Sequence, residues 1–160
     1  MLFRSRRLDE SLRDGKNRLL EMIAGGAPRE ATLNRLMLLI ESQSEGVLCS
    51  VMLLGPDGTM HTAAAPSMPP SYLPTIDGMR IGAAAGSCGT AMHRKETVVV
   101  ADIANDPLWA SYKADAARHG LRACWSMPIM LFLTMMVAMI AIARHTWAAM
   151  RMPPAAALRT

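Results

Sequence analysis

Apolar and polar positions change rhythm several times along the chain, and each change marks an element. Between Arg4 and Ala24, Leu8, Leu12, Leu19, Met22 and Ile23 recur at helical spacing with charged residues between them. That spacing predicts an amphipathic helix. Gly15 weakens it by about 1 kcal/mol relative to Ala, and Gly25-Gly26 stops it. Pro28 suits the first turn of a second helix. Its apolar face is Leu33, Leu36, Met37 and Ile40, and it ends near Ser44, before Gly46. Val47 to Leu54 is a continuous apolar run that predicts a buried strand. Gly55-Pro56-Asp57-Gly58 supplies turn chemistry, because Pro fixes φ and Gly reaches positive φ, so Thr59 to Ala65 returns as the hairpin partner. Four prolines (Pro66, Pro69, Pro70 and Pro74) make Ala65 to Pro74 a loop with at most a short helical turn. Ser87 to His93 predicts a short helix with Ser87 as its N-cap. Val98 to Val100, inside Glu96 to Asp102, reads as a buried strand. Pro107 to His119 reads as helix, stopped by Gly120, and Leu121 to Ile129 as a further strand. The pattern predicts an α+β domain in which helices flank one antiparallel sheet.

Composition narrows the function classes. The chain of 160 residues fits one domain, and 51% hydrophobic content supports a core. The net charge of +4 comes without a clustered basic stripe, which argues against nucleic-acid binding. Cys49, Cys88 and Cys124 form no CxxC and read as free thiols of a reducing cytoplasm. The charged N-terminus lacks the apolar core of a signal peptide. Charge is also uneven: the last acidic residue is Asp115, and Ala123 to Ala143 carries none. Methionine crowds the same end. This shift divides the chain into an N-terminal connecting helix (1–27), a central domain (28–129) and a divergent apolar tail (130–160).

Candidate chemistry centres on Gly86-Ser87-Cys88-Gly89-Thr90. Its glycines let backbone approach a ligand closely, and the first N–H groups of a short helix attract anions or polar groups. The alternative is that the glycines shape a connection and Cys88 is a small buried hydrophobe. Trp109, Tyr112 and Trp125 either line a pocket or pack helix on sheet. Cys124, two residues from Arg122, is a reactive thiol or core. The histidines lack metal-binding spacing such as HExxH, and Asp102, Asp106 and Asp115 do not read as a metal cluster.

The ordered set of motifs carries a family resemblance. Cys49 to Leu54 with its Gly-Pro-Asp-Gly turn is followed by Ile81-Gly82 and Gly86-Ser87-Cys88-Gly89-Thr90-Ala91. After them come Val98 to Val100, Asp102-Ile103, Asp106-Pro107-Leu108-Trp109, and Gly120-Leu121-Arg122-Ala123-Cys124-Trp125-Ser126-Met127-Pro128-Ile129. Together they resemble the GAF domains of bacterial multidomain sensors that also carry PAS, histidine-kinase or diguanylate-cyclase parts. The resemblance implies a GAF/PAS-like antiparallel sheet with a ligand pocket on one face, at Gly86, Ser87, Cys88, Gly89, Thr90, Trp109, Tyr112 and Trp125. It implies a non-enzymatic module that binds an unknown small molecule and serves an output domain; the N-terminal helix either joins the domain to a neighbour or pairs with its copy, or else packs as an ordinary amphipathic helix on its own domain. The sequence names no cofactor, and neither the Cys-His of bilin attachment nor a cyclic-nucleotide signature is present. A cysteine-based redox sensor is the alternative. One GAF branch reduces free methionine sulfoxide with a Cys-Gly-Thr-Ala segment like Cys88 to Ala91, but it needs further cysteines, and none occurs between Ala91 and Ala123.

The resemblance stops at Ile129. The tail reads as a shifted reading frame or a truncated product without the strand that completes the sheet, with a genuinely divergent tail as the alternative. On that reading Leu121 to Ile129 presents an unpaired edge, with low solubility as the consequence. Ile129 to Ala143, at about 22 Å of helix, is short of the roughly 30 Å of a bilayer core, so it reads as an apolar helix lying on the domain.

Overall fold

The computed structural model describes the backbone of residues 2–131 and 134–143 and the side chains of residues 10–129. Two helices, α1 (Leu2–Ala24) and α2 (Arg29–Glu41), precede a hairpin of β1 (Val47–Leu54) and β2 (Met60–Ala64). The proline-rich loop leads into a single turn, α3 (Leu73–Ile76), and then α4 (Gly86–Arg94) and β3 (Val98–Val100) follow. A 3-10 turn at Pro107–Trp109 and α5 (Lys113–Arg118) occupy the segment expected as one helix. Two strands, β4 (Ala123–Leu131) and β5 (Thr134–Ala143), complete one five-stranded sheet in the order β2-β1-β5-β4-β3. All its pairings are antiparallel.

The largest departure from expectation is β5. Thr134–Ala143 is a strand, not a helix on the domain surface, and it occupies the centre of the sheet. It pairs with β1 from Val47↔Ala143 to Leu53↔Met136 and with β4 from Ala123↔Ala143 to Leu131↔Thr134. The β4 edge expected to lie bare is therefore covered by β5, with β3 on its other side. A composition boundary drawn at Ile129 falls inside β4. The physical reason is that an uncharged run is compatible with either a helix or a fully buried strand, and periodicity alone does not separate them. Residues 144–160, the rest of the expected tail, lie outside the described residues. Among the described residues, no helix is long and apolar enough to cross a membrane.

Alternation along β1 builds two cores. Val47, Cys49 and Val51 point to one face, where Leu33, Met37 and Ile40 of α2 cover them. Leu48 points to the other face, into a cluster with Tyr72, Ala91, Val100, Ile103, Trp109, Leu121 and Cys124. Met52, on the same face, packs with Met60 and Met92. This period-two division gives three layers: α1 and α2, the sheet, and then α3, α4, the 3-10 turn and α5. Glu41 links the layers at one end. Its Oε1 accepts from the Cys49 amide at 2.7 Å, where the β1–β5 register shifts, and its Oε2 accepts from Ser67 Oγ at 2.5 Å. Helix α1 packs on α2 through buried Gly15 and Leu19, where a Cβ on Gly15 would meet Leu39. Leu12, Leu20 and Ile23 stay exposed.

Candidate functional site

Short connections over the second face of the sheet enclose a cavity of about 30 Å³. That exceeds the roughly 10–15 Å³ a cavity needs to hold a water and is well below the roughly 150 Å³ of a cavity that takes benzene. Its floor is Met52 and Met60 of the hairpin. Tyr72, Thr75 and Ile76 come from around α3, Ala85 to Cys88 from the start of α4, and Trp109, Tyr112 and Asp115 from the segment after β3.

The start of α4 is shaped by its glycines. Gly86 holds φ at +61°, and a Cβ there would stand 3.8 Å from Trp109 Cζ2, so the indole lies close over this backbone. Gly89 faces inward, where a Cβ would come within 2.6 Å of Ala85 Cβ. Ser87 does not cap the helix: Ala85 is the N-cap, and no side chain bonds there. Ser87 is instead fully buried and accepts a hydrogen bond from Trp109 Nε1 at 3.0 Å. Thr90 Oγ1 accepts from the Ala85 amide at 3.2 Å and so ties the loop to its own helix.

Beneath the cavity lies a small polar network. Ser126 Oγ donates to Cys88 Sγ at 3.6 Å and stands 3.9 Å from Cys124 Sγ. The bond to Cys124 and burial together push the Cys88 thiol well above its ordinary value, while Cys124, against the upward push of burial, is drawn below its own by hydrogen bonds with Cys88, Ser87 and Ser126. A thiol held protonated is a poor nucleophile. Burial likewise pushes the Tyr72 hydroxyl up. The Tyr72 ring meets that of His119 at a centroid distance of 5.1 Å with the planes tilted by 57°, and His119 Nδ1 lies 2.8 Å from the Asp115 carbonyl oxygen. Arg118 pairs with the Asp115 carboxylate at Oδ1. Among the described residues, no group of three His, Cys, Asp or Glu side chains is placed to hold a metal ion.

Of the residues expected at the pocket, Gly86, Ser87, Cys88, Trp109 and Tyr112 line the cavity. Gly89 and Thr90 are not among its lining residues, and Thr90 ties the loop to its own helix. Trp125 lies on the opposite face of the sheet, packed against the α2 cluster with its Nε1 buried and without a hydrogen bond among the described residues. Its neighbour Cys124 faces the cavity side, and successive strand residues point to opposite faces. Met79 and Asp115 lie in the segments 79–92 and 107–121 expected to face a ligand, whereas Met52, Met60, Tyr72, Thr75 and Ile76 line the cavity without having been expected there. For Tyr72, Thr75 and Ile76 the proline-rich stretch gives no periodicity to show which side chains turn inward.

The chain resembles known proteins in sequence and in fold. The chain is 36% identical over 121 residues to the "Methyl sulfide methyltransferase-associated sensor" of Methanosarcina acetivorans, an alignment that covers 75% of this chain and 12% of that protein. The chain thus spans about an eighth of that relative's length. A free methionine-R-sulfoxide reductase from Neisseria meningitidis, solved with its substrate, superposes with a TM-score of 0.64 at 16% identity, covering 91% of this chain and 77% of that one. A GAF sensor protein from Burkholderia vietnamiensis superposes with a TM-score of 0.63 at 13% identity, over 91% and 84%. At such identities these likenesses speak for the fold. The GAF domain model matches residues 28–149, a span that takes in β5. The chain belongs to the GAF domain family.

Proposed function

We propose that this GAF domain is a non-catalytic sensor that binds a small molecule in the cavity under α3, α4 and the Pro107–Trp109 turn. The observation that carries the reading is the convergence of Ser87, Cys88, Trp109 and Tyr112 on one mostly apolar cavity with few polar groups. Occupancy would press on Trp109 and, through Ser87, on the start of α4, which packs against β4. Helix α1 is the connecting element of this proposal. Its exposed Leu12, Leu20 and Ile23 would pair with a second copy and pass the change to an output domain of the histidine-kinase or diguanylate-cyclase kind. The protein would work in the cytoplasm.

A titration of isotope-labelled protein with a small-molecule set tests this. Expected are shifts at the Trp109 indole and at amides of residues 79–92 and 107–121. Shifts confined to α1 would overturn it.

A second reading, reduction of methionine sulfoxide, draws on the reductase-like fold and on Cys88 at the cavity. The raised Cys88 thiol weighs against it, although its partner Cys124 is shifted the other way. Turnover of free methionine sulfoxide with a thiol reductant, lost in Cys88→Ser, would replace the sensor reading.

A further inference from the structure

Outside the cavity, Ser71 and His119 come together across 48 residues of sequence. Ser71 is exposed on the proline-rich stretch before α3, and its Oγ lies 3.0 Å from His119 Nε2. The other ring nitrogen is held by the end of α5. That helix stops at Arg118, and the His119 amide donates to the Ala116 carbonyl rather than to that of Asp115. The Asp115 carbonyl instead faces His119 Nδ1 at 2.8 Å. A carbonyl only accepts, so the proton of the neutral ring sits on Nδ1 and Nε2 is left bare. The buried Tyr72 ring, in contact with the imidazole, limits its movement from one side. The Ser71 hydroxyl thus donates to a basic nitrogen whose tautomer and orientation are set by a third group. Such an arrangement turns a weak hydroxyl into a nucleophile. Ser42, also exposed, differs: its hydroxyl donates to the Leu39 carbonyl at 2.6 Å, which cannot serve as a base.

We infer that Ser71 is a site of covalent acyl modification, with His119 as its general base and an activated acyl donor, an acyl phosphate or a thioester, as its reagent. Ser71 Oγ attacks the acyl carbon and its proton passes to His119 Nε2. The phosphate or thiolate leaves with the electron pair of the broken bond and takes up that proton. The Tyr72 amide, next along the chain, already donates to the Pro69 carbonyl at 2.8 Å, so it does not serve an oxyanion at Ser71. Without that help the hydroxyl reacts with donors whose leaving groups depart readily, not with ordinary esters or amides. Acylated Ser71 has no proton to give His119, so the modification unties from α5 the loop that carries Tyr72 to the cavity.

Full-chain protein is treated with a fluorophosphonate, whose serine adduct is stable, and separately with acetyl phosphate and with the acetyl thioester of N-acetylcysteamine. Labelling is followed at each serine by peptide mass mapping. Ser71 should react about 100-fold or more faster than Ser42 in the same chain, the scale of a positioned general base. His119→Ala should remove that excess and leave Ser42 unchanged, and added imidazole should restore part of it, a rescue that misfolding cannot produce. The faster of the two acetyl donors at Ser71 identifies the donor class. Equal rates at Ser71 and Ser42 in the unaltered chain, or an undiminished Ser71 rate in His119→Ala, would overturn the inference. So would labelling of Ser71 by the fluorophosphonate but by neither acetyl donor.

Discussion

The indole Nε1 of Trp109 donates to the hydroxyl of Ser87 at 3.0 Å, across 22 residues of sequence. This bond fixes the turn after β3 against the start of α4, and both groups are buried. Ser87→Ala leaves the indole N–H without its partner, and an orphaned buried donor costs about 1–3 kcal/mol. In a Trp109→Phe background the same change should cost clearly less, because no donor remains to be orphaned. Urea denaturation of the two single variants and the double variant checks the coupling.

Gly89 should tolerate no side chain. A Cβ there meets Ala85 Cβ at 2.6 Å, with Met60 Cε at 3.4 Å. Gly89→Ala is expected to destabilise by about 1–3 kcal/mol, as overpacking does. Gly86→Ala has open space by comparison but forces φ near +61°, for about 1–2 kcal/mol. Melting curves of both variants test the ranking, which fails if Gly86→Ala is the more damaging by a wide margin.

Trp125→Phe should be neutral or mildly stabilising. The Trp125 indole N–H is buried with no hydrogen bond among the described residues, so removing it removes a cost rather than a bond. Ligand shifts at Trp109 should persist in this variant. A loss of binding would place Trp125 at the site after all.

The centre of the sheet should be the last part to open. Ala138 pairs with Val51 of β1 and Met127 of β4, so Ala138→Pro breaks the ladder at an interior strand. Failure to fold cooperatively is expected. Amide exchange in the unaltered chain should be slowest in β1, β4 and β5 and faster in the edge strands β2 and β3. Fast exchange throughout residues 134–143 would contradict a central β5.

Stability should fall at alkaline pH. Burial holds the Tyr72 proton above its ordinary value of 10.0, whereas the unfolded chain releases it near that value. The unfolded state therefore binds fewer protons as pH rises past about 10, and stability drops. Below about pH 10 this contribution is fully present. Tyr72→Phe should flatten the loss above pH 10 in a series of melting temperatures.

Local chemistry in the sequence determined much of this protein. Val47–Leu54 and Val98–Val100 are strands as their apolar runs require, the Gly-Pro-Asp-Gly turn closes the first hairpin, and the Gly86–Thr90 loop begins a helix beside the cavity. The ordered motifs also carried the family. These signals live within a few residues of chain, where φ restriction and side-chain periodicity act directly. Three matters were decided only by tertiary structure. Thr134–Ala143 became a central strand because both β1 and β4 offered it unpaired backbone, a demand that lies some 90 residues away in sequence for β1. Ser87 gave up the expected cap because Trp109 brought a buried donor to it. Trp125 left the pocket because β4 pairing sends Cys124 to one face and its neighbour to the other, and no composition reveals which face α2 will cover.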